Sequence, residues 1–77
     1  MNITQALMAR AGLRWSISDL AKAAGVSSRT VIRFENGEPV AASTVATVRQ
    51  AYEAQGVQFI DGGALVGALA PVGLDRS

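Results

Sequence analysis

The chain has 77 residues, with Lys+Arg 7, Asp+Glu 6, no His and no Cys. That length holds one small core. The missing residue types exclude disulfides, thiolate and imidazole metal sites, and Ser-His or Cys-His catalysis. A net charge of +1 hides an asymmetry: Arg10, Arg14, Lys22, Arg29 and Arg33 face only Asp19 and Glu35 in residues 1–36, whereas residues 37–77 are acidic on balance. A basic half on a mildly acidic one is the footprint of a face that meets a polyanion, and equally of scattered solvated charge.

Asn2 or Thr4 caps a first helix running to about Ala11, with the stripe Ile3, Leu7, Ala11 at helical spacing. Gly12 to Trp15 is a break, and Trp15 is the largest core candidate. Ser16-Ile17-Ser18-Asp19 then reads as an N-cap with an acid at the third helical position, a capping box with Asp in place of Glu. The second helix spans Ile17 to Ala24 and ends at Gly25, which tolerates a left-handed backbone. Ser27 caps a third helix from about Ser28 to Glu35, and Asn36-Gly37 stops it. A fourth helix starts at or near Ser43 and runs to about Gln55, with Val45, Val48, Ala51 and Tyr52 inward. Gly56 ends it. Val57-Gln58-Phe59-Ile60 is a short strand-like run, and the Gly- and Ala-rich tail from Ala64 has no clear assignment.

The second and third helices, joined by Gly25-Val26-Ser27, have the spacing of a helix-turn-helix unit over residues 17–36. Leu20, Ala24, Val26, Val31 and Phe34 supply its inner face. Ser28, Arg29, Ile32 and Arg33 share the opposite side of the third helix, because helical neighbours are three and four apart.

The segments Trp15-Ser16, Asp19-Leu20-Ala21, Ala24-Gly25-Val26-Ser27, Thr30-Val31 and Glu35-Asn36-Gly37 resemble the Xre/Cro-like phage-repressor family. The resemblance covers roughly residues 3–60. It is nearest to a short bacterial subgroup that continues into a Gly-Val-x-Phe-Ile run, here Gly56 to Ile60. It implies a mostly α, lambda-repressor-like domain of four to five short helices with a short C-terminal strand or hairpin. The third helix would enter the DNA major groove, usually in a homodimer on an inverted-repeat operator. Two departures stand out. The family commonly has Gln at the first position of the second helix, where this chain has Ile17. The phosphate clamp there would rest on backbone N–H groups with Arg14 or Ser16. The tail is nearly neutral where the subgroup often ends in a basic strand.

The candidate DNA-binding set is therefore Arg14, Ser16, Ser27, Ser28, Arg29, Thr30, Ile32, Arg33 and Asn36. Arg29 reads a guanine edge in preference to a phosphate, and Arg33 is open between the two. Ser28 meets a base or a phosphate, and Thr30 a phosphate. Ile32 either packs on a thymine methyl or rims the core. Asn36 is a phosphate contact by resemblance or a plain left-handed cap. Lys22 is a solvated side chain or a backbone contact. Glu35 is a structural tie.

Residues 1–56 form the helix-turn-helix domain and residues 57–77 a dimerisation element. Val57, Phe59, Ile60, Leu65 and Leu69 supply its interface, because a lone strand edge must find a partner. Either the stretch Pro71 to Leu74 or a second subunit would cover that edge. The sequence shows no basic-then-apolar leader, and its most apolar stretch, Gly62–Leu74, is too short to span a bilayer, so the expected location is cytoplasmic. The leading expectation is a sequence-specific DNA-binding transcriptional regulator without cofactor or catalysis. The competing one is a helix-turn-helix interaction module such as an antitoxin or antiactivator. An enzyme is remote.

Overall fold

The computed structural model describes residues 1–60 and the backbone of a strand at residues 65–66. It is mostly α: α1 (Ile3–Leu13), α2 (Ile17–Ala24), α3 (Ser28–Glu35) and α4 (Ala42–Glu53), followed by β1 (Gln58–Phe59) and β2 (Leu65–Val66). The boundaries of α2 and α3 are those expected from the caps. The described helices number four, not five.

Sequence chemistry explains how the helices start. Asn2 Oδ1 accepts from the Gln5 N–H at 2.7 Å and Gln5 Oε1 from the Asn2 N–H at 2.9 Å, a reciprocal capping box. Ser16 and Asp19 repeat that arrangement on α2, at 3.0 and 2.8 Å. Ser27 Oγ accepts from the Thr30 N–H at 3.1 Å on α3. α4 starts at Ala42, next to Ser43 as expected. Its N-cap position falls to Ala41, which offers no side-chain bond, and the Ser43 carbonyl accepts from the Thr47 hydroxyl.

All four helices close alike. Arg14, Gly25, Gly37 and Gly56 are left-handed. Each donates its N–H three residues back, to Ala11, Lys22, Phe34 and Glu53. The next residue, Trp15, Val26, Glu38 or Val57, donates five back, to Arg10, Ala21, Arg33 or Tyr52. This is the Schellman closure. Gly12 was expected to break the chain, but α1 runs through it and buries it, and the left-handed residue is Arg14 at φ 59°. Asn36, by contrast, is right-handed at φ −81°, so it is not the left-handed cap, a position Gly37 takes.

Leu20, Val31, Val48, Tyr52 and Val57 form the fully buried centre, joined by Phe34 and alanines from α1, α2 and α4. Tyr52 rather than Trp15 is its middle. Trp15 is half-buried and stacks on Tyr52 with centroids 5.9 Å apart, while Phe59 tilts against the same ring at 6.1 Å. Burial, with Glu35 nearby, raises the Tyr52 hydroxyl pKa and keeps it neutral. The expected α1 stripe is rotated: Gln5, Ala6, Ala9 and Gly12 face inward, while Leu7 and Ala11 are exposed.

β1 pairs antiparallel with β2, Gln58 opposite Val66 and Phe59 opposite Leu65. The strand edge thus finds its partner in the nearby Leu65–Val66 segment of the same chain. The expected contributions of Leu69 and of Pro71 to Leu74 lie outside the described residues, as does the side chain of Leu65. The buried Gln5 side chain donates to the Ile60 carbonyl at 2.9 Å and ties the chain just after β1 to α1.

Candidate nucleic-acid interface

Along α3, Val31 and Phe34 are buried, while Ser28, Arg29, Ile32 and Arg33 are exposed together on the other side. The inner residues draw that side of the helix into the core, and the buried residues of α2 beside Leu20 are the small Ala21 and Ala24, which suits close packing of α2. The outer side is thereby left as a face with donors at Ser28, Arg29 and Arg33 and one apolar side chain. Ile32 is 44% exposed on the side of α3 opposite Val31 and Phe34, which leaves an apolar side chain on that face. A shallow groove on this face is lined by Arg29, Ile32, Arg33 and Glu38.

The cations divide into engaged and free. Arg10, counted in the basic half of the sequence, holds Glu35 at both ends: Nε to Oε2 at 2.7 Å and Nη2 to Oε1 at 3.0 Å. Its Nη1 also donates to the Trp15 carbonyl at 3.2 Å. The bond to Glu35 raises the Arg10 pKa against the opposing effect of burial. Sequence reading anticipated Glu35 as a tie but missed its partner, since nothing local links positions 25 apart. Arg33 lies 3.5 Å from Glu38 Oε1. Among the described residues, Arg14, Lys22 and Arg29 enter no ion pair.

The hydroxyls at the turn are partly committed. Ser27 Oγ, besides its cap, shares a 2.9 Å hydrogen bond with Thr30 Oγ1. One hydroxyl hydrogen of the pair remains for an outside acceptor. Ser28 and Asn36 are exposed at the two ends of α3.

At the start of α2 the arrangement differs from a simple anion site. Ile17 is half-buried against the core, which accounts for an apolar residue at that position. Ser16 is engaged with Asp19, whose carboxylate is held below the usual range by the Ser16 backbone N–H and then by the Ser16 hydroxyl. The α2 N-terminus therefore already carries an anion of its own. The N–H groups of Ile17 and Ser18 are left without helical partners, and exposed Arg14 precedes them.

Of the expected interface residues of the C-terminal element, Val57 is only 2% exposed and is spent inside the chain's own core. Phe59 is half-buried under Tyr52 and the Arg49 guanidinium, 5.6 Å from its ring centre. Ile60 is exposed, as are Leu7 and Met8 of α1.

No protein-family model matches the chain, and no curated protein and no solved structure matches it. No helix among the described residues is long and apolar enough to cross a membrane.

Proposed function

We propose that this chain is a sequence-specific DNA-binding regulator of transcription, a repressor or autoregulator, working in the cytoplasm as a homodimer on an inverted-repeat operator. The observation that carries the reading is the outer face of α3. Ser28, Arg29, Ile32 and Arg33 are exposed together on the second helix of a helix-turn-helix unit, while their neighbours Val31 and Phe34 are buried. That combination matches what a major groove offers: guanine O6 and N7 for an arginine, the thymine methyl for an apolar side chain, phosphates for hydroxyls. Arg29, without an ion pair, is assigned to a base edge. Ser28 and Asn36 flank it, and Arg14 with the free N–H groups of α2 meets the backbone on the far side of the groove. The reading calls for no cofactor and no catalysis.

Selection of bound duplexes from a randomised pool tests it. The enriched sequences should be inverted repeats with half-sites about one helical turn, ~34 Å, apart. Affinity should fall with salt at a slope of about −0.9 per phosphate neutralised. Arg29→Ala should cost ~1–3 kcal/mol on the enriched duplex and relax preference at one base pair per half-site. An equal loss on random DNA would reassign Arg29 to a phosphate.

A second reading, a protein-interaction module on the same fold, is favoured by one observation: Leu7, Met8 and Ile60, none of them on α3, are exposed apolar side chains. A pool that yields no enriched duplex would favour it.

A further inference from the structure

The four helix closures differ at one point. The residue after the left-handed position is apolar and packs on the core at α1, α2 and α4, as Trp15, Val26 and Val57. At α3 it is Glu38, an exposed acid. The usual apolar contact between this residue and the one five positions back is replaced there by an ion pair with Arg33.

We propose that Glu38 is a positioning residue that holds Arg33 for bidentate reading of a guanine. The inference rests on the DNA-binding reading above. The backbone of Glu38 is fixed relative to Arg33, because its N–H donates to the Arg33 carbonyl at 3.0 Å across left-handed Gly37 at φ 81°. Its carboxylate approaches the Nε of Arg33 at 3.5 Å. A guanidinium presents donors on more than one edge, so a carboxylate at Nε leaves the terminal nitrogens for a second acceptor pair. Both side chains line the groove that Arg29 and Ile32 share, on the exposed side of α3.

Two further points support positioning over simple structural pairing. The side chains of Arg33 and Glu38 are 52% and 51% exposed, and exposed pairs contribute little to folding. A carboxylate beside Arg33 also opposes a phosphate contact by like-charge repulsion, whereas the O6 and N7 of guanine are neutral acceptors. Arg33, open between base and phosphate on sequence grounds, is thereby assigned to a base.

The test uses full-length protein and the duplexes it enriches from a library with a randomised central segment. Affinities are measured for the enriched duplex, its single base-pair variants and a random duplex, with wild type, Glu38→Gln, Arg33→Ala and the double substitution. Glu38→Gln should weaken the enriched duplex by about tenfold. It should flatten preference at the same base pair that Arg33→Ala flattens, and bind random duplex no more weakly than wild type. The double substitution should be no worse than Arg33→Ala alone, and the thermal midpoint of Glu38→Gln should match wild type. Equal tightening on enriched and random duplexes would make Glu38 a plain repulsive charge and overturn the proposal. Intact base preference in Glu38→Gln would overturn it as well, while leaving DNA binding standing. If wild type enriches no duplex, the DNA-binding reading falls and this inference with it.

Discussion

The N-terminal ends of α2 and α3 are closed by side chains three residues away, Ser16 with Asp19 and Ser27 with Thr30. α1 has a local cap too, but the polar bonds that fix its place in the fold reach 25 residues to Glu35 and 55 to Ile60. The helix-turn-helix half is thus specified by neighbours in sequence. The orientation of α1 is specified by distant partners. The boundaries of α2 and α3 are set locally, while α1 braces the end of α3 through Arg10 and Glu35.

Paired leucine substitutions break that comparison most sharply. Leu20 on α2 is fully buried, and Leu7 on α1 is 39% exposed. Leu20→Ala should lower stability by ~2–5 kcal/mol as a core truncation, and Leu7→Ala should stay within ~0.5 kcal/mol. Denaturant titration of both proteins reads the difference. Comparable losses would mean that α1 packs through Leu7, as its sequence stripe suggests.

That stripe shows where sequence stops being legible. The α2 and α3 boundaries follow from Ser16, Asp19, Gly25 and Ser27 because cap chemistry is local. Their inner faces follow because apolar and polar residues segregate. In α1 large and small apolar residues occur on several sides, and the chain buries the small ones, Ala6, Ala9 and Gly12. Periodicity alone cannot choose between such faces. Gly12 misleads for a related reason: glycine marks a left-handed end at α2, α3 and α4, yet at α1 it is a buried helical residue. The outer face of α3 was legible to the residue. The pairing of Arg10 with Glu35 and that of Arg33 with Glu38 depend on three-dimensional closure and were not.

The brace itself can be cut. Glu35 is 8% exposed at its side chain and takes two bonds from Arg10, which joins α1 to the end of α3. Glu35→Gln keeps the shape but removes the charge that opposes the guanidinium. A loss of about 2 kcal/mol in denaturant unfolding is expected, because hydrogen bonds to charged groups carry more than neutral ones. A loss of only a few tenths would show that water replaces the carboxylate at Arg10 and that α1 is held by packing alone.

The two unlike helix ends sharpen the comparison at a lower energy. Gly25 at φ 71° has no atom within 4 Å of the place a Cβ would take, so Gly25→Ala tests backbone strain without a clash. It should cost about 1 kcal/mol or more. Arg14 already accepts that strain at φ 59°. Arg14→Gly should therefore raise the unfolding midpoint while removing a free cation near the α2 N-terminus, so stability and DNA affinity should move in opposite directions. An unchanged or raised DNA affinity would remove Arg14 from the interface.

The smallest effect belongs to Asp19, and its sign can be worked out from its ionisation. The folded state binds the proton of Asp19 less readily than the unfolded chain does, because the Ser16 backbone N–H and hydroxyl both favour the carboxylate. A carboxylate whose pKa is lowered by folding adds stability above its unfolded value, and that contribution disappears as pH falls through its folded value. Asp19→Asn should therefore lower the thermal midpoint slightly at neutral pH, and the gap to wild type should close in acid. Under the proposed DNA-binding role the sign reverses: the carboxylate stands at the helix end whose free N–H groups are assigned to a phosphate, so its removal should relieve repulsion there. Asp19→Asn should bind random and operator duplexes more tightly by similar factors, most visibly at low salt, where screening is weakest. Unchanged affinity at low salt would place the α2 N-terminus away from the DNA backbone, and the phosphate-side contacts would then have to come from Arg14 and α3 alone.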